Sequence, residues 1–162
     1  MILLEIWEII LALSLAILGS GSLVGLLIQN RIQKLRSIEE KLREERREVY
    51  AKLLMPFIQI FTTPKEPEKV MEHVKSLEYR KISFELTLLG SDEVIRAYGN
   101  LMHHIYHHSS GNGVSQQNVS ELMKLWGKLL LEIRKSLGND KTKLTEKDML
   151  RHIITDIDRL DL

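Results

Sequence analysis

The pattern of apolar and polar positions changes character twice along the chain, and each change predicts a different kind of helix. Residues 9–28, IILALSLAILGSGSLVGLLI, carry no charge. As a helix rising 1.5 Å per residue they would reach roughly 30 Å, about one bilayer core. Leu, Ile and Val cover every side of that helix, so it needs complete enclosure. The expectation is a single transmembrane anchor in residues 1–30, with Trp7 at one interface and Gln29 and Asn30 at the other. A cleaved leader fits less well. Gly19 and Gly21 suit a cleavage site, but the opening MILLEIWE holds Glu5 and Glu8 and no basic residue.

Residues 31–52 read as a charged helical stalk. Ile28, Leu35, Leu42 and Val49 recur every seven residues, and Ile32 and Leu53 begin a second row that Glu39 and Arg46 interrupt. A coiled-coil seam is therefore present but incomplete. The run EEKLREERRE at 39–48 alternates in charge, and Glu39–Arg43 is a supportive i, i+4 pair. It predicts a solvated, helix-supporting face.

From Val49 the spacing becomes that of a helix entering a core: Val49, Leu53, Leu54, Phe57, Ile58, Phe61, with Pro56 expected to kink it. Thr63, Pro64 and Glu66 signal a new helix start. That helix should run to Leu89 on an inward stripe of Val70, Val74, Leu77, Ile82, Leu86 and Leu89. Gly90 closes it and Ser91 caps the next, which carries Val94, Ile95, Tyr98, Leu101, Met102 and Ile105 into HHIYHH and the loop SSGNG. A further helix spans Ser115 to Leu137 before Gly138. A short last one begins at Thr145, with Asp148 at its third position and Met149, Ile153, Ile154 and Ile157 facing inward. The fold class is all-α: an N-terminal transmembrane helix continuing into a stalk, then an antiparallel helical bundle over 53–162.

Composition narrows the partners. The 23 basic and 22 acidic residues are interleaved, which disfavours nucleic acid as a partner. Cysteine is absent, so disulfides and thiolate chemistry are excluded. Charge is asymmetric about the anchor. Arg31, Lys34 and Arg36 lead a basic flank, and the N-terminal flank has no Lys or Arg. The positive-inside rule then places the N-terminus outside and the bundle in the cytoplasm, with the proximal basic residues near anionic lipid.

Within the anchor, Ala12, Ala16 and Ser20 are spaced by four, and Gly21 and Gly25 form a GxxxG pair. Small residues at that spacing let membrane helices approach closely, so this face is a candidate packing surface. Downstream, His103 and His107, and His104 and His108, are i, i+4 pairs with the spacing of two metal ligands on one helix face. No local Cys, Asp or Glu completes such a site, and solvated imidazoles at a helix C-terminus explain the cluster equally. No phosphate-binding loop, nucleophile elbow, zincin or dinucleotide fingerprint occurs. No catalytic residue and no cofactor is expected.

Three stretches taken in order, EVYAKLLMPF, FELTLLGSDEVIRAYGNL and EIRKSLGNDKTKLTEKDML, span most of residues 40–155. They resemble a group of uncharacterised bacterial single-pass membrane proteins with a small cytoplasmic helical-bundle domain. The resemblance implies that topology and a bacterial inner-membrane setting, and it supplies no activity. The expected function is a non-enzymatic interaction or scaffold module that self-assembles, as a homo-oligomer, or recruits a cytoplasmic protein partner to the membrane. The alternative is a membrane-perturbing, pore-type effector of a bacterial defence or toxin system.

Overall fold

The computed structural model describes residues 2–62, 72–108, 116–154 and 157–159, with side chains from Gly25 onward except at 60–62, 108, 116 and 159. All regular secondary structure among the described residues is helical. It comprises α1 (Ile2–Thr62), α2 (Leu77–Leu89), α3 (Asp92–His108), α4 (Gln116–Ser136), α5 (Glu146–Leu150) and a 3₁₀ turn (Ile157–Arg159). The chain forms two units, Met1–Leu42 and Arg43–Leu162.

The first unit is the N-terminal part of α1. Among the described residues no helix is long and apolar enough to cross a membrane. The anchor expected at 9–28 falls mostly on positions whose side chains lie outside the described residues.

The second unit is an all-helical bundle around one core. Val49, Tyr50, Leu53 and Phe57 of α1 meet Tyr79 and Leu86 of α2, Val94 and Leu101 of α3, Trp126, Leu129 and Ile133 of α4, and Leu150 and Ile157 beyond. Cross-element contacts set an antiparallel register. Against α2, Arg46 bonds the Leu89 carbonyl at the far end and Leu53 meets Tyr79 near the start. Against α4, Tyr50 reaches Ser136 while Phe57 packs on Trp126, ring centroids 5.9 Å apart. Helix α3 packs along α4, and α4 against α5. Pro56 is buried within α1, and the helix continues past it to Thr62.

Local signals place most helix ends. Gly90 N–H donates to Leu86 O at 2.7 Å where α2 stops. Gly138 takes a φ of 104° after α4, and Asn139 N–H returns to Arg134 O, a Schellman-type stop. Thr145 and Asp148 form the reciprocal capping box that opens α5.

The helix expected to run unbroken to Leu89 is interrupted. Residues 72–75 are helical, Ser76 turns extended at ψ 156°, and its hydroxyl accepts from Tyr79 N–H to start α2 afresh. The expected start at Thr63 to Glu66 lies outside the described residues. The expected stripe otherwise holds, with Val74 and Leu86 in the core and Ile82 and Leu89 packed against it, but at the break Tyr79 points inward and Leu77, expected in the core, is 71% exposed. A similar exchange follows α5. Leu150 is fully buried, whereas Ile153, expected inside, faces out because α5 ends before its next turn.

Candidate interaction surfaces

Polar groups inside the bundle are committed to holding it together. The Tyr79 hydroxyl donates to the Leu53 carbonyl at 3.0 Å, and the Ser83 and Tyr98 hydroxyls bond at 3.0 Å. Burial, reinforced by the neighbouring Tyr98, pushes the Tyr79 phenol above its ordinary range. Burial also raises Tyr98, against the opposing hydrogen bonds of Ser83 and Tyr79. Both phenols therefore stay protonated and act as hydrogen-bonding ties. Tyr50 makes a second tie: its oxygen accepts from Ser91 N–H and shares a hydrogen bond with Ser136. The patch of Tyr79, Arg80, Arg96, Tyr98 and Asn100 thus divides, with Tyr79 and Tyr98 serving packing and Arg80, Arg96 and Asn100 exposed.

Two features of this interior leave little trace in the chain's pattern. Helix α2 has no basic residue in its last turn, and Arg46 of the charged run supplies one by donating Nε–H to the Leu89 carbonyl. Part of the stretch expected to be a solvated face is therefore structural. Glu132 is a buried carboxylate held by Lys135 Nζ at 2.9 Å and Lys128 Nζ at 3.0 Å. Burial alone would raise its pKa, but the two lysines outweigh burial and hold it below the usual carboxylate range. Lys128 also lies 3.7 Å from Glu146, which ties α4 to the start of α5. At the C-terminal end, Asp158 pairs with Arg151 at 3.1 Å and Lys147 at 3.3 Å.

The histidines come together only in part. The His103 and His107 rings lie 4.1 Å apart on the exposed side of α3, and His104 is half-buried on another side. The His108 side chain is outside the described residues. Among the described residues no group of three or more His, Asp or Glu is arranged to hold a metal ion. Of the small residues in the anchor, Ala12, Ala16, Ser20 and Gly21 also lie outside the described side chains. Gly25 has open space around it, with no atom within 4 Å of where a Cβ would stand.

The surface carries more apolar chemistry than its charge content suggests. In the first unit Leu26, Leu27, Ile28, Ile32, Leu35 and Ile38 are exposed, and the basic Arg31, Lys34 and Arg36 stand exposed among them. In the second unit Leu77, Phe84 and Leu88 follow one outer face of α2 and are 71–82% exposed. Isolated apolar side chains are ordinary on a surface, whereas rows of them mark contact regions. Compared with known proteins, the chain matches no family model, no curated protein and no solved structure. Its own residues carry the functional reading.

Proposed function

We propose that this chain is a membrane-anchored, non-enzymatic interaction module that assembles at the bacterial inner membrane and presents its helical bundle to the cytoplasm. The observation that carries the reading is the exposed apolar row at Ile28, Ile32, Leu35 and Ile38, which continues from the last residue of an uncharged run of bilayer length. A helix that is to stand alone in water has no use for such a row, and one that assembles beside a membrane does. The basic flank of Arg31, Lys34 and Arg36 supports the cytoplasmic orientation and suits contact with anionic lipid. The interior polar groups support a structural role for the bundle, since the Tyr79, Tyr98 and Tyr50 hydroxyls each join one helix to another and the Glu132 charge is compensated within α4.

The cysteine-free sequence makes the test direct. Leu3→Cys and Asn112→Cys are introduced singly into the full chain and probed in intact cells with a membrane-impermeant maleimide. Labelling at position 3 before lysis, and at position 112 only after it, is the expected outcome. Mild-detergent extracts should then give a protein mass above the 18.8 kDa of one chain. Labelling at 112 from outside, or recovery of the chain in the soluble fraction, refutes the reading.

A further inference from the structure

We infer that residues 28–42 form a self-association seam, along which two copies of this chain pair in parallel and in register. The inference deepens the assembly reading above and rests on it. In heptad terms Ile28, Leu35 and Leu42 occupy one core position; the row four residues on is lost after Ile32 at Glu39, so the second core position falls three residues on, at Arg31 and Ile38. Ile28, Leu35 and Ile38 are 55–66% exposed in the single chain. Arg31 is exposed in the single chain, and its long apolar stem can lie along the seam with the guanidinium in water. The next member of the row, Val49, is buried in the bundle core, as is Leu53, so the intermolecular seam ends at Leu42.

Charge selects the occupant and its direction. In a parallel pair each g position faces the e position five residues on in the partner. That sets Leu27 against Ile32, an apolar contact, and Lys34 against Glu39, an opposite-charge contact, once on each side of the seam; the last g position, Lys41, faces Arg46, which lies past the end of the seam with its Nε engaged by the Leu89 carbonyl. An antiparallel pair centred on Leu35 and Ile38 instead sets Lys34 against Lys41, like against like. A second copy entering from the same membrane face satisfies the parallel arrangement without further rearrangement. About two heptads make a short seam for chains free in solution. Anchors confined to one bilayer raise the effective concentration of the second copy, so pairing belongs to the membrane-bound chain.

Single-cysteine variants of the full chain in native membranes test this. Leu35→Cys and Ile38→Cys lie in the seam, and Ser37→Cys and Glu40→Cys lie on its outer side. Under mild oxidation the two seam variants should form same-residue disulfide dimers in several-fold higher yield than the two outer ones. Adding Lys34→Glu to Leu35→Cys should cut the yield several-fold, and adding Glu39→Lys as well should restore it. A helix merely lying on lipid would show no such restoration. Flat yields across the four positions, or disulfides only between Lys34→Cys and Lys41→Cys chains mixed in one membrane, overturn the parallel seam. Membranes are first washed with alkaline carbonate. A chain released by the wash overturns the anchored reading on which the seam rests, whereas a retained chain with flat yields overturns the seam alone.

Discussion

Two helix-interior glycines differ in what surrounds them, and the difference predicts unequal effects of one substitution. Gly127 lies buried in α4, and a Cβ built there would stand 2.5 Å from the Glu146 carbonyl oxygen and 3.0 Å from that residue's carbonyl carbon. Ordinary contact begins near 3.4 Å, so the first turn of α5 would have to retreat by nearly an ångström. That turn is fixed by the Thr145–Asp148 capping box and carries Leu150, which is fully buried. It cannot yield without pulling Leu150 from the core. Overpacking of this kind costs about 1–3 kcal/mol, against which alanine's better helix propensity returns about 1 kcal/mol. Gly127→Ala should therefore destabilise the bundle by up to about 2 kcal/mol.

Gly99 is the control. It is exposed within α3 with nothing within 4 Å of its would-be Cβ, so Gly99→Ala should stabilise by about 0.5–1 kcal/mol. Urea unfolding of both full-length variants, followed by Trp126 fluorescence in a common Trp7→Phe background, measures the two shifts. Gly127→Ala should lie below Gly99→Ala, with the two stabilities separated by about 0.5–3 kcal/mol. A Gly127→Ala midpoint at or above that of Gly99→Ala would refute the close approach of α4 and α5.

Two further outcomes are expected. Tyr79→Phe removes the donor to the buried Leu53 carbonyl while keeping the ring. It should cost about 1 kcal/mol in the same urea experiment, and an unchanged midpoint would show that this tie contributes nothing. Glu132 has a folded pKa held below its ordinary 4.5, so its contribution is present in full at neutral pH and is lost as pH falls through the depressed value. Thermal unfolding temperature should stay flat from pH 7 to about 5 and drop below about 4.5, with a shallower drop in Glu132→Gln. Equal slopes in the two proteins would show that the acid loss arises at other carboxylates.

Helix ends governed by local chemistry could be read along the chain. Gly90, Gly138 and the Thr145–Asp148 box each act within a few residues, so the signal and its consequence lie together. The inward positions of α3 were legible for the same reason, because an uninterrupted helix keeps its phase from Val94 through Leu101. Where the helix was broken the stripe lost one member, although Val74, Ile82, Leu86 and Leu89 kept to the core side. Ser76 restarted α2, which exchanged Leu77 for Tyr79 in the core and left a leucine outside and a phenol within. Nothing in the period of the surrounding residues marks that restart.

Of the candidate sites, the i, i+4 histidine spacing correctly brought His103 beside His107. The roles of Arg46 and Glu132 were invisible. Arg46 caps a helix that ends at Leu89, far along the chain, and Glu132 is buried because two lysines compensate its charge. Gly127 was equally silent, since a glycine reads as tolerance until a backbone lies against it.

By itself the sequence determined the all-helical class, the helix ends at Gly90, Gly138 and Thr145, the charge asymmetry around 9–28 and the heptad row through Ile28, Leu35 and Leu42, because each is set by interactions within a turn or two of one helix. Tertiary structure alone decided where that row stops being a surface. Val49 and Leu53 have the same spacing as the residues before them, yet they are buried because α2, α3 and α4 close over them, while Leu35 and Ile38 remain exposed. Periodicity says which side of a helix is apolar, and only the packing of distant segments says what covers it.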